Sequence, residues 1–86
     1  MTLIDGYTKK EAQFRPMTLD EIKALGYGDH AWIIANDGTA RRVKINGTIK
    51  RWKRESDRVE VPIKYGLYEY ARWNTAEALA RLLVRE

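Results

Sequence analysis

Residues 30–54 read HAWIIANDGTARRVKINGTIKRWKR, and the punctuation of this stretch decides the fold class. His30–Ala35 is a short apolar run of strand length. Asn36-Asp37-Gly38 follows it, and an Asp-Gly step supplies the positive φ values that a tight hairpin turn needs. Ala40–Asn46 then alternates, with Arg41, Val43 and Ile45 on one side and Arg42 and Lys44 on the other. A period of two predicts a half-buried strand. Asn46-Gly47 is a second two-residue hairpin signal, so the strand is expected to turn there and return through Thr48–Arg54.

Outward from this stretch the same alternation continues. After a polar loop at residues 55–57, Val59, Val61, Ile63 and Tyr65 alternate with Arg58, Glu60, Pro62 and Lys64. Pro62 has no N–H to donate to a ladder, which implies an edge position or a bulge. Tyr65-Gly66 turns the chain into a last strand, Leu67–Trp73. Asn74 caps a C-terminal helix over 74–86, with Glu77 three residues on and Ala76, Leu79, Ala80 and Leu83 at helical spacing. Toward the N-terminus, Thr18 and Glu21 have capping-box spacing, Met17 and Ile22 that of a hydrophobic staple. Gly26 offers a left-handed stop. These mark a short helix within 16–26. Residues 1–15 have no clear period and read as a loosely ordered arm with a short strand at Thr2–Ile4.

The expected class is mainly β with helices (α+β), one domain over 1–86. Five short antiparallel strands over 30–73 must hide their edges, and closure into a small barrel does so. A five-stranded SH3-like barrel is the leading expectation and a small OB-like barrel the second.

Composition narrows the function classes. The 86 residues are 44% hydrophobic and 33% charged, a globular balance. There is no cysteine, so neither a disulfide nor a Cys-based zinc site is available. No apolar run reaches the roughly 18–20 residues that span a bilayer, and MTLIDGYTKK is not a signal peptide; the expected location is the cytoplasm. His30 stands alone, too few ligands for a transition metal. Ser56 has no histidine near it in sequence for a triad, and Gly26-Tyr27-Gly28 follows no strand, as a phosphate loop must. Neither an enzyme nor a cofactor is expected.

Charge is the remaining signal. The chain carries +4 in all, but residues 40–64 hold nine Lys/Arg against three Asp/Glu, a local +6. Residues 1–39 carry −2 and residues 65–86 zero. A surplus confined to one segment is the footprint of an anion-binding surface. Arg42, Lys44, Lys50, Arg51, Lys53 and Arg54 are the candidate phosphate contacts, and Trp52 is the candidate stacking or wedging ring. The expected partner is DNA or RNA. The competing reading makes the same charges a guard against edge-to-edge aggregation, with Trp52 folded onto the core. An alternative function is a small protein-interaction adaptor using a sheet edge or the aromatic strand Tyr65, Tyr68, Tyr70 and Trp73; core packing, with amphipathic tyrosines at the rim, is the plainer explanation of those rings.

The segment GTARRVKINGTIKRWKRESDRVEVPIKYGLYEY, with its charged hairpin, its Trp in a basic run and its KYGLYE strand, resembles small uncharacterised proteins of phages and other mobile elements. That resemblance implies no activity. The layout is also similar to that of the small archaeal chromatin proteins, basic SH3-like barrels ending in a helix. This second likeness implies a twisted sheet laid on the DNA minor groove, and no contact residue is carried over from it.

Overall fold

The computed structural model describes residues 1–86 as a mainly β chain with two helices. In chain order the elements are β1 (Thr2–Ile4), β2 (Glu11–Pro16), α1 (Leu19–Lys23), β3 (His30–Ile34), β4 (Ala40–Ile45), β5 (Lys50–Arg51), β6 (Val59–Lys64), β7 (Tyr70–Asn74), α2 (Thr75–Arg81) and β8 (Leu82–Arg85). The eight strands form one antiparallel sheet in the order β1-β2-β8-β3-β4-β6-β5, with β7 on the free side of β6. It is an open sheet of eight strands rather than the expected closed barrel of five.

Several local expectations hold. Thr18 Oγ1 accepts from the Glu21 amide at 3.2 Å and the Glu21 carboxylate accepts from the Thr18 amide at 3.0 Å, so the capping box starts α1. Met17 and Ile22 are both buried beside it. The helix ends sooner than expected, with Ala24 as a right-handed C-cap; Gly28, not Gly26, takes the positive φ. The Asp37-Gly38 turn forms, with Gly38 at φ 82 and β3 paired to β4 from His30↔Lys44 to Ile34↔Ala40.

The second hairpin does not form. β4 pairs with β6 through Lys44↔Lys64 and Ile45↔Ile63, and β5 pairs with the same side of β6 through Lys50↔Glu60 and Arg51↔Val59. β4 and β5 therefore run in one direction, joined by a two-residue bulge where a turn was expected. The cause is burial: Val59, Val61 and Ile63 bury their side chains with Val43 and Ile45, which a β4–β5 hairpin would displace. Gly47 serves the bulge by close approach, since a Cβ there would lie 3.1 Å from Pro62 Cγ. Pro62 faces this break. Its carbonyl accepts from the Asn46 amide at 2.9 Å, so its missing donor also points to the side where the ladder is already interrupted.

Both termini depart from expectation. Residues 1–15 are not a loose arm: β1 pairs with β2, and β2 pairs with β8 through Phe14↔Arg85, Arg15↔Val84 and Pro16↔Leu83. The C-terminal helix stops at Arg81, and residues 82–85 are a strand between β2 and β3. Inside α2 it is Ala78 that is buried, while Leu79 is exposed. The reason is the Leu82-Leu83 pair, one leucine for each face of the sheet. Leu82 joins the main core with Ile22, Val43, Ile63, Trp73 and Ala78. Leu83 joins a smaller cluster on the opposite face with Phe14 and Ala40. In a helix both could not be buried this way, because their directions differ by only about 100°.

Truncation separates these roles. Leu82→Ala and Leu83→Ala should each cost about 2–5 kcal/mol, whereas Leu79→Ala should stay within about 0.5 kcal/mol. Urea denaturation of the three variants checks this; a Leu79 loss equal to the others would contradict the strand assignment of residues 82–85.

Candidate nucleic-acid interface

Antiparallel strands place opposed residues on one face. Both helices pack their buried residues, Ile22 and Ala78, into the main core, so no helix covers the outer face of β3, β4, β6 and β7. The register aligns His30, Lys44, Lys64 and Tyr70 in one row across these four strands. The next row along β3 and β4 is Trp32↔Arg42. Lys44 Nζ lies 5.8 Å from the centre of the Tyr27 ring and Lys64 Nζ 5.7 Å from that of Tyr70. A hollow of about 280 Å³ lies between them, lined by Tyr7, His30, Arg42, Lys44, Lys64, Tyr65 and Gly66.

The expected cations do not all meet here. Arg42 and Lys44 line this hollow. Lys50 shares their face but sits farther along β6, opposite Glu60, which is ion-paired to Arg72 at 3.0 Å. Arg51 turns the other way, its guanidinium donating to the carbonyls of Lys23 and Ile49. Lys53 and Arg54 are exposed in the turn after β5. Trp52 is half-buried, with Lys50 Nζ 4.8 Å and Arg58 Cζ 4.1 Å from its ring centre; two cations already hold the ring offered for base stacking. One property unites all six cations. None has a carboxylate within salt-bridge distance, whereas Arg15, Arg41, Arg58, Arg72 and Arg85 are all paired to acids.

Sequence reasoning missed Lys64, Tyr7, Trp32 and Arg85. Tyr7 and Trp32 edge a second hollow of about 410 Å³, lined also by Asp5, Arg42 and Arg85. Asp5 is its anchor. The carboxylate is 2% exposed and accepts from the Tyr7 amide at 2.8 Å, the Thr8 amide at 3.2 Å and the Arg85 guanidinium at 2.7 Å. Just beyond it, Gly6 donates to the Ala40 carbonyl at 2.8 Å, closing the hairpin loop against β4. The Tyr7 hydroxyl donates to the Arg42 carbonyl at 3.3 Å. The aromatic strand divides between the core and the surface. Trp73 is buried, with Arg81 Cζ 4.4 Å from its ring centre, but Tyr65, Tyr68 and Tyr70 are exposed.

No family model, curated protein or solved structure matches this chain.

The Tyr7 amide, then the Thr8 amide and Arg85, hold the Asp5 carboxyl below its ordinary 3.8 against the opposing effect of burial. A depressed carboxylate stabilises the folded state above its unfolded value, and that stability is lost as pH falls through the folded value. Acidification below 3.8 should therefore release the loop that carries Tyr7. Amide exchange checks this: in Asp5→Ala, which removes the acceptor of both amides, the Tyr7 and Thr8 amides should lose protection already at neutral pH, while Val61 in β6 stays protected.

Proposed function

We propose that the chain is a non-enzymatic nucleic-acid-binding module that recognises backbone charge and shape through the outer face of its sheet. One observation carries the reading. Lys44 and Lys64 stand directly opposite each other, Arg42 is two residues from Lys44, and no acid is paired with any of the three. Like charges directly opposed destabilise an antiparallel pair, and a phosphate laid across the row relieves that repulsion. Lys50, Lys53 and Arg54 extend the charge beyond the row, and Trp52 gives Lys50 and Arg58 an apolar shelf. Arg51, bonded to backbone carbonyls, contributes field more than direct contact.

Log affinity for an oligonucleotide should fall linearly with log salt. Replacing Lys44 and Lys64 together by Gln should flatten that slope by about 1.4–1.8, at about 0.7 per single-strand and 0.9 per duplex phosphate. Replacing Lys53 and Arg54, which lie off the row, should flatten it less. Fluorescence anisotropy at rising salt measures both. No binding of DNA or RNA at about 50 mM salt, where screening is weak, would overturn the proposal.

A second reading has its own observation. Leu67 and Tyr68, in the connection from β6 to β7, are 72% and 84% exposed, beside exposed Tyr65 and Tyr70. An apolar tip of this kind suits a protein-interaction adaptor. On that reading, a partner captured from lysate is lost with Leu67→Ser and Tyr68→Ser and kept with Lys44→Gln and Lys64→Gln.

A further inference from the structure

The two hollows on the outer face are neighbours. Tyr7 and Arg42 line both and stand between them. On one side lie Trp32, Asp5 and Arg85, with two aromatic rings in the lining. On the other lie Lys44, Lys64 and His30. The first hollow offers ring faces and edges, and the second offers positive charge. A nucleotide has the matching division, a flat ring on one side of a sugar and an anion on the other.

The aromatic half is built to hold its shape. Tyr7 is 64% exposed, yet its amide donates to Asp5 and its hydroxyl to the Arg42 carbonyl. Trp32 meets it edge-on, with ring centres 6.4 Å apart and planes at 75°. Arg85 Cζ lies over the Trp32 ring, 5.1 Å from its centre, and its guanidinium donates to buried Asp5 at 2.7 Å. Phe14 supports the same ring at 5.3 Å. An exposed aromatic pinned at both ends has little rotamer freedom left to lose on binding, which is what a stacking platform requires. The volume of about 410 Å³ lies within the range of about 300–1,000 Å³ typical of small-ligand clefts.

We propose that the hollow lined by Asp5, Tyr7, Trp32, Arg42 and Arg85 receives an unpaired nucleobase against the Tyr7 ring, while Arg42, Lys44 and Lys64 hold the adjoining phosphates. The chain then prefers single-stranded nucleic acid to duplex, because the bases of a duplex are stacked on one another and offer no free face. This rests on the nucleic-acid reading above and adds the strandedness and the base site.

The test is an anisotropy titration of a labelled single strand and of the same strand annealed to its complement, at one salt concentration. The protein is wild type, Tyr7→Ala, Tyr7→Phe or the Lys44→Gln/Lys64→Gln pair. The wild type should bind the single strand more tightly. Tyr7→Ala should weaken single-strand binding by about 5- to 150-fold, the worth of one stacked base, without changing the salt slope or the duplex affinity. Tyr7→Phe keeps the ring but loses the hydroxyl bond to the Arg42 carbonyl, and should bind between the wild type and Tyr7→Ala. A measurement that needs no variant runs beside it: the Trp32 indole N–H resonance should shift with the single strand and stay in place with the duplex. Equal affinity for both forms, with Tyr7→Ala neutral and the lysine pair weakened, overturns the base site and leaves the backbone reading standing. If neither form binds and poly-glutamate does, both readings fail together.

Discussion

The last four residues of the sheet hold the molecule together. β8 lies between β2 and β3, paired to β2 at Phe14, Arg15 and Pro16 and to β3 at Trp32 and Ile33. Without it the N-terminal hairpin keeps only the isolated bridge at Asp5 and Ala40 to the rest of the sheet. Its side chains are as important as its backbone, since Leu82 fills one face and Leu83 the other. Arg85 completes the joint by reaching Asp5 across a separation of 80 residues. Contacts so far apart in sequence form only after the entropy of closing the intervening chain has been met. The N-terminal hairpin, although local in itself, therefore depends on β8 for its place in the sheet, and the hollow that it walls is incomplete without Arg85.

What was legible in the sequence was whatever local chemistry decides. The capping box at Thr18 and Glu21 and the turn at Asp37-Gly38 are settled by backbone groups within a few residues of one another, and both form as read. Asn46-Gly47 has an equally clear hairpin signature, yet the chain runs on. Here a local preference of turn chemistry competes with the burial of Val59, Val61 and Ile63 against Val43 and Ile45, and the three-residue apolar face outweighs one favoured turn. The C-terminal residues fail for a related reason. ALARLLVRE has helical spacing on paper, but helical periodicity cannot reveal that the chain needs one leucine on each face of a strand whose two neighbours, β2 and β3, begin at residues 11 and 30.

The candidate site was half legible. Charge density found Arg42 and Lys44, because composition needs no knowledge of pairing. Lys64 was visible as an outward position in an alternating strand. Its significance lies in standing opposite Lys44, and that depended on the β4–β6 pairing that the Asn46-Gly47 signal concealed. Tyr7 left no signal at all. It lies in an aperiodic stretch, and only the buried Asp5 carboxylate, gathering two amides and a guanidinium, gives it a fixed position.

The distribution of ion pairs sharpens the electrostatics of the outer face beyond what the formal charge conveys. Five of the acids are engaged by Arg15, Arg41, Arg58, Arg72 and Arg85, and each of these pairs is nearly neutral when viewed from a distance. Glu60, the one acid on the β6 outer face, is among them. The cations left unbalanced are chiefly lysines, together with Arg42, Arg51, Arg54 and Arg81. Lysine is a strongly hydrated point charge that tolerates approach by a mobile phosphate without demanding fixed bidentate geometry. Arginine, with its planar fork, is spent mainly on holding the fold: Arg85 on Asp5, Arg15 on Glu21, Arg51 on the carbonyl end of α1. Arg42 and Arg54 are the exceptions, and Arg42 is the unpaired guanidinium that lies between the two hollows. Its fork can meet either a phosphate or a base edge, so under the proposed single-strand binding this donor stands where the hollow for the base would adjoin the one for the phosphate.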